Sequence, residues 1–206
     1  MKKISLACLI ALVPLASGAN IIPTGTTITG AGPGLYSWSY ALTLSADQDA
    51  VAGLPPVSET VPHVNLSFGA FLTIYDFAGY VAGSCNGPAG WECMVQNSGF
   101  TPDDVLPNDS PAITNLTWVY TSGPTLTGQP VGLELGAFSA QSIYNQITSV
   151  SYTARGLKNN GSSVGTIADN VGNTRGPTSG VPEPESLALA GLALALLSGV
   201  RTGNKR

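Results

Sequence analysis

The clearest pattern in the chain lies at residues 35–45, where Tyr36, Trp38, Tyr40, Leu42 and Leu44 alternate with Ser37, Ser39, Thr43 and Ser45. A period of two, with aromatic and aliphatic residues on one side, predicts a half-buried strand. Shorter runs of similar character occur at 64–68, 71–75, 116–120, 131–135 and 149–154. Residues 71–81 are almost continuously apolar or aromatic, as expected of a central strand covered on both faces. Turn clusters separate these runs: Gly53-Leu54-Pro55-Pro56, Gly87-Pro88, Pro107-Asn108-Asp109 and Gly128-Gln129-Pro130. Between the chain ends only residues 139–147 suggest a helix, of one turn or two, and there is no internal repeat.

Composition narrows the fold class. Charged residues are 10% of the 206, whereas Gly and Pro number 25 and 15. Short strands joined by Gly/Pro turns fit this better than a charged helical bundle or a disordered polyelectrolyte. The expectation is an all-β protein, a single antiparallel β-sandwich with jelly-roll topology as one form of it. Beyond residue 156 Gly, Asn, Ser and Thr dominate. One last edge strand is expected around 164–167, and 170–180 reads as a flexible linker.

Both ends differ from this body. Lys2 and Lys3 precede an apolar stretch, Ile4 to Leu15, and then the small residues Ala16-Ser17-Gly18-Ala19. That order predicts a secretory signal helix, cleaved after Ala19 by signal peptidase. Cys8 lies inside the apolar stretch rather than after it, which argues against lipidation. At the other end Val181-Pro182-Glu183-Pro184 is followed by an apolar run, Leu187 to Val200, and then by Arg201, Lys205 and Arg206. The two prolines keep the backbone extended, a form suited to a protease groove. Fourteen helical residues span roughly 21 Å, short of the ~30 Å hydrocarbon core, so the predicted transmembrane helix at about 186–202 needs snorkelling by Arg201 or local thinning of the bilayer.

This three-part order resembles the tail of bacterial PEP-CTERM proteins. The resemblance covers residues 181–206. It implies recognition of the Pro-Glu-Pro motif, the helix and the basic end by the membrane enzyme exosortase, with cleavage near Pro182, Glu183 and Pro184. It also implies release to the cell surface or an extracellular matrix, in association with exopolysaccharide and biofilm. The family usually packs several basic residues directly behind the helix, whereas here Thr202-Gly203-Asn204 separates Arg201 from the last two. The expected organisation is therefore a signal peptide at 1–19, an ectodomain at 20–169, the linker at 170–180 and the sorting tail at 181–206.

Charge excludes one class of partner. Between residues 20 and 180 only Arg155, Lys158 and Arg175 are basic, against ten acids, a net charge of −7. An acidic body repels phosphate backbones, so nucleic acid is not an expected partner.

Candidate chemistry is sparse. Cys85 and Cys93 bracket a Gly/Pro loop and, in an oxidising compartment, are expected to form a disulfide. His63 is the one histidine, too few for a Cys/His zinc site, and with no Gly-x-Ser-x-Gly elbow nucleophilic hydrolysis has little to stand on. No catalytic residue is assigned and no enzyme activity is expected. Asp47-x-Asp49 and Asp103-Asp104 with Asp109 read either as calcium ligands between loops or as solvated turn residues. Trp38 and Trp118 fall in strand patterns and read as core, whereas Trp91, in the predicted disulfide loop, is expected to be exposed and available to stack on a sugar. The expected function is that of a non-catalytic surface or matrix protein, with a carbohydrate-binding or adhesive module as the alternative and a secreted hydrolase behind both.

Overall fold

The structure is a computed structural model that describes residues 21–180. It is a mostly antiparallel β-rich domain of three sheets. Strands β1 (Ile21–Gly32), β2 (Leu35–Leu44) and β10 (Leu133–Ser142) form a three-stranded sheet with β2 in the centre. The large sheet runs β6 (Trp91–Gln96), β8 (Asn115–Tyr120), β5 (Phe71–Ile74), β11 (Gln146–Lys158), β3 (Gln48–Ala50) and β9 (Leu126–Thr127), with β12 (Ile167–Thr178) along the other edge of β11. A parallel two-stranded ribbon, β4 (Thr60–Val61) with β7 (Thr101–Pro102), completes the set.

Period-two alternation decides what faces what. Trp38, Tyr40, Leu42 and Leu44 of β2 are fully buried, as the sequence pattern requires, and they pack with Phe138 of β10 against the large sheet. That sheet contributes Leu72, Ile74, Leu116, Trp118, Tyr120, Tyr152 and Ala154 to the same core. Aromatic rings stitch the two layers: Trp118 lies 6.3 Å from Tyr40 and 5.8 Å, edge to face, from Phe138. The indole N–H groups of the fully buried Trp38 and Trp118 have carbonyl partners, at Tyr144 and Asn86, which removes the main penalty of burying these two tryptophans.

The intervening residues of the large sheet face a second layer. Phe71 and Val119 join Val61 and Phe100 in a smaller apolar cluster. Beside it is a hydroxyl knot. Thr73 Oγ1, Tyr75 OH and Thr153 Oγ1 all converge on the carbonyl oxygen of Phe100, at 3.0, 3.1 and 3.4 Å. Burial pushes the Tyr75 phenol up to about 12, so it stays a donor. Residues 55–69 and 97–114 thus form a flap, with the β4–β7 ribbon in its middle, over the outer face of the large sheet.

Several expectations are corrected. Residues 64–68 are not a strand: Asn65 N–H bonds Pro62 O and the Asn65 side chain caps Ser67, so the chain turns. The run 71–81 is strand only to Ile74. Asp76 then adopts φ 54 and redirects the chain, so that Phe77 returns to the main core against Trp38. Residues 139–147 are not helical, since β10 continues to Ser142 and β11 begins at Gln146. The edge strand expected at 164–167 begins only at Ile167, after a 3-10 turn at Gly161–Ser163. Residues 170–180 are not a linker, because β12 pairs with β11 from Ile167 to Thr178. Backbone pairing needs no apolar side chain on β12. Its glycines even help, since a Cβ on Gly172 would meet the Tyr152 ring at 2.7 Å and one on Gly176 would meet Val150 at 2.7 Å. Strands β1 and β6 carry too little alternation to be seen in advance.

The expected disulfide is present, with Cys85 and Cys93 Cα atoms 6.0 Å apart. Cys93 lies on β6 of the large sheet. Cys85 lies on the loop whose Asn86 exchanges backbone hydrogen bonds with Ser139 of β10, so the bond links the edges of the two packed sheets. Replacing both cysteines by serine is expected to cost about 2–3 kcal/mol, the loop-closure value for so short a loop. Urea unfolding checks it, and a change below about 0.5 kcal/mol would show the crosslink to be idle.

Candidate functional site

Two prolines set up the most chemically distinctive cluster. In the ribbon, Thr60 pairs with Thr101 and Val61 with Pro102. Pro62 and Pro102 favour extended chain up to that point and supply no N–H to continue the ladder. Both segments then turn, and the residues delivered side by side are His63 from one and Asp103-Asp104 from the other. The His63 amide bonds Asp103 Oδ1 at 2.9 Å, which holds the two turns together.

Beneath them lies Asp169 of β12, its side chain fully buried. His63 Nδ1 sits 2.8 Å from Asp169 Oδ2 and 3.3 Å from Asp104 Oδ2. An ionised carboxylate only accepts, so a hydrogen bond to Asp169 Oδ2 uses the ring form that carries its proton on Nδ1. Burial raises the Asp104 pKa above the ordinary carboxylate value; the nearby Asp169 charge adds to this, and His63 opposes it. Among the described residues, His63, Asp104 and Asp169 form one group able to hold a metal ion, with their ligand atoms all within 4.8 Å.

Arg155 supports this group from below. It is 2% exposed on β11, where alternation puts it on the flap side of the sheet opposite Phe71. Its Nε donates to Asp169 Oδ1 at 2.7 Å and its Nη2 to Asp169 Oδ2 at 2.9 Å. Nη1 donates to Pro62 O at 3.0 Å and Nη2 also reaches Val61 O at 3.3 Å. The guanidinium carbon lies 5.6 Å from the Phe71 ring centre, within cation–π range. One buried cation therefore ties β11, β12 and the end of β4.

The other residues singled out from sequence are placed apart. Asp109 accepts from Gly99 N–H and from Asn115 Nδ2, so it does not join Asp103 and Asp104. Asp49 accepts from Asn159 Nδ2. Trp91 is not exposed: at 8% exposure it packs 5.2 Å from Tyr120 and 5.1 Å from Phe138. The reason is register, since Trp91 opposes Tyr120 across β6–β8 and must share its inward face. Ala19, Val181, Pro182, Glu183, Pro184, Arg201, Lys205 and Arg206 lie outside the described residues, as do both expected membrane-inserting segments. Among the described residues no helix is long and apolar enough to cross a membrane.

Sequence reading missed Arg155 and Asp169. The available signal was weak: an arginine inside the strand-like run 149–154 and its extension, in a body with only three basic residues. A second feature also escaped it, an open groove of about 760 Å³ between β1 and the β11–β12 pair. Thr24, Thr26, Thr148, Ser149, Asn173 and Arg175 line it. No protein-family model matches the chain, and no curated protein matches it in sequence.

Removing the buried cation leaves Asp169 charged and uncompensated. Arg155→Met is expected to cost about 3–5 kcal/mol in urea unfolding, with much of the loss recovered in Arg155→Met/Asp169→Leu. A loss in the double variant equal to the sum of the Arg155→Met and Asp169→Leu losses would show that the pair is not coupled.

Proposed function

We propose that this chain is an exported cell-surface or extracellular-matrix protein, sorted and cleaved by exosortase, whose ectodomain is a non-catalytic β-sandwich. The observation that carries the reading is the three-part order of residues 181–206 together with the N-terminal leader. Two further observations support it. The Cys85–Cys93 disulfide suits an oxidising compartment. The β-domain fills the interval between the two signals, with Ile21 fully buried and β12 running to Thr178.

Association with exopolysaccharide, and with it the alternative of a carbohydrate-binding module, is favoured by the β1/β11–β12 groove. Its hydroxyl and amide groups match the hydrogen-bonding surface of a sugar chain. Arg175 adds an exposed cation that an acidic sugar would pair with. This moves the proposed sugar contact from Trp91, which is buried, to the groove.

Cell fractionation tests both parts. In the wild-type host the mature chain should begin at Asn20, lack the tail and be recovered from the surface or matrix. Deleting exosortase should leave a larger form in the membrane fraction, and Arg175→Ala should lower the matrix-bound share without changing the mass. An unchanged size and location after exosortase deletion would overturn the sorting reading.

A further inference from the structure

We propose that His63, Asp104 and Asp169 form a binding site for one divalent cation of the zinc class, which replaces the proton on His63 Nδ1 and clips the flap to β12. The argument is independent of how the protein is sorted. The donor set is one imidazole nitrogen and two carboxylates from three separate segments. Such a set suits a borderline cation, with a fourth position left for water. Calcium takes six to eight oxygen ligands, and of the carboxylate oxygens nearby, Asp103 Oδ1 is already held by the His63 amide.

The spacing is close to what a bound ion needs. Bonds of about 2.0 Å in a tetrahedron place ligand atoms about 3.3 Å apart. His63 Nδ1 and Asp104 Oδ2 are 3.3 Å apart already, and His63 Nδ1 and Asp169 Oδ2, at 2.8 Å, need to open slightly. Asp104 is half exposed and on a turn, so it has room to adjust.

What distinguishes the cluster from a chance meeting of surface acids is the layer behind it. Ligating side chains in metal sites are held by outer partners that fix their orientation. Here Arg155 fixes both oxygens of fully buried Asp169, and the same guanidinium bonds Pro62 O and Val61 O, the carbonyls just before His63. Asp103 fixes the His63 backbone. The Asp169 lone pair that now accepts the imidazole N–H is the one the ion would take. Arg155 keeps its own bonds. The exchange balances as one ion bound and, in a neutral imidazole, the ring proton moved from Nδ1 to Nε2, so that the ligand stays neutral; only a ring protonated on both nitrogens would release a proton.

The test is calorimetric titration of the purified full chain, stripped with chelator, with zinc chloride and separately with calcium chloride, accompanied by the thermal midpoint. Zinc is expected to bind one per chain and raise the midpoint, and calcium is expected to do neither. His63→Ala should weaken zinc by about 100-fold or more and Asp104→Asn by about tenfold or more, since losing a ligand costs at least as much as losing one of its outer partners. Asp104→Asn, at a half-exposed position, preserves side-chain volume and guards against misreading a folding defect. Absence of saturable zinc binding, binding undiminished in both variants, or stabilisation by calcium alone would each overturn the proposal.

Discussion

The flap of this protein is held to the sheet by one buried ion pair. Arg155 lies toward the C-terminal end of β11, on a face otherwise lined by Phe71, Val119 and threonines. An arginine there is tolerable only because its donors are used. Two bonds go to Asp169 across the β11–β12 pair and two more to the carbonyls of Val61 and Pro62. A well-packed apolar substitute could be as stable. What the charge adds is a defined position for the flap, because carbonyls and a carboxylate must meet a planar fork in one geometry.

The hydroxyl knot around Phe100 O works in the same direction from the other side. Thr73, Tyr75 and Thr153 anchor the segment that leads into β7, while Arg155 anchors the one that leaves β4. The ribbon between them has only two residue pairs, too few to persist alone. With both ends tied, the turns after Pro62 and Pro102 are presented together, and so are His63, Asp103 and Asp104. The candidate site is thus a consequence of how the flap is fastened.

How much of this the sequence discloses depends on which force places each residue. β2 is legible because hydrophobic burial on one face writes a period of two, and Trp38 and Trp118 were read as core on that basis. The disulfide is legible because two of the three cysteines, Cys85 and Cys93, lie in the body of the chain on either side of a short Gly/Pro loop. β1 and β12 are not, since edge strands rich in Thr, Asn and Gly are held by backbone pairing and leave little trace in side-chain polarity. Trp91 misled because it borders a loop, yet its register opposite Tyr120 turns it inward. The His63–Asp169 contact spans 106 positions, and nothing local to either residue announces it. In the sequence His63 stands out only as the lone histidine, and Asp104 only as part of a turn cluster.

The direct test of the fastening is amide hydrogen exchange on the wild type and on Asp169→Asn. The amides of Thr101 and Asp103, which bond Glu59 O and Val61 O in the ribbon, should lose protection selectively in the variant. Those of β2 and β8, in the packed sheets, should keep theirs. Uniform loss across all strands, or unchanged protection in the ribbon, would contradict the claim that the Arg155–Asp169 pair holds the flap in place.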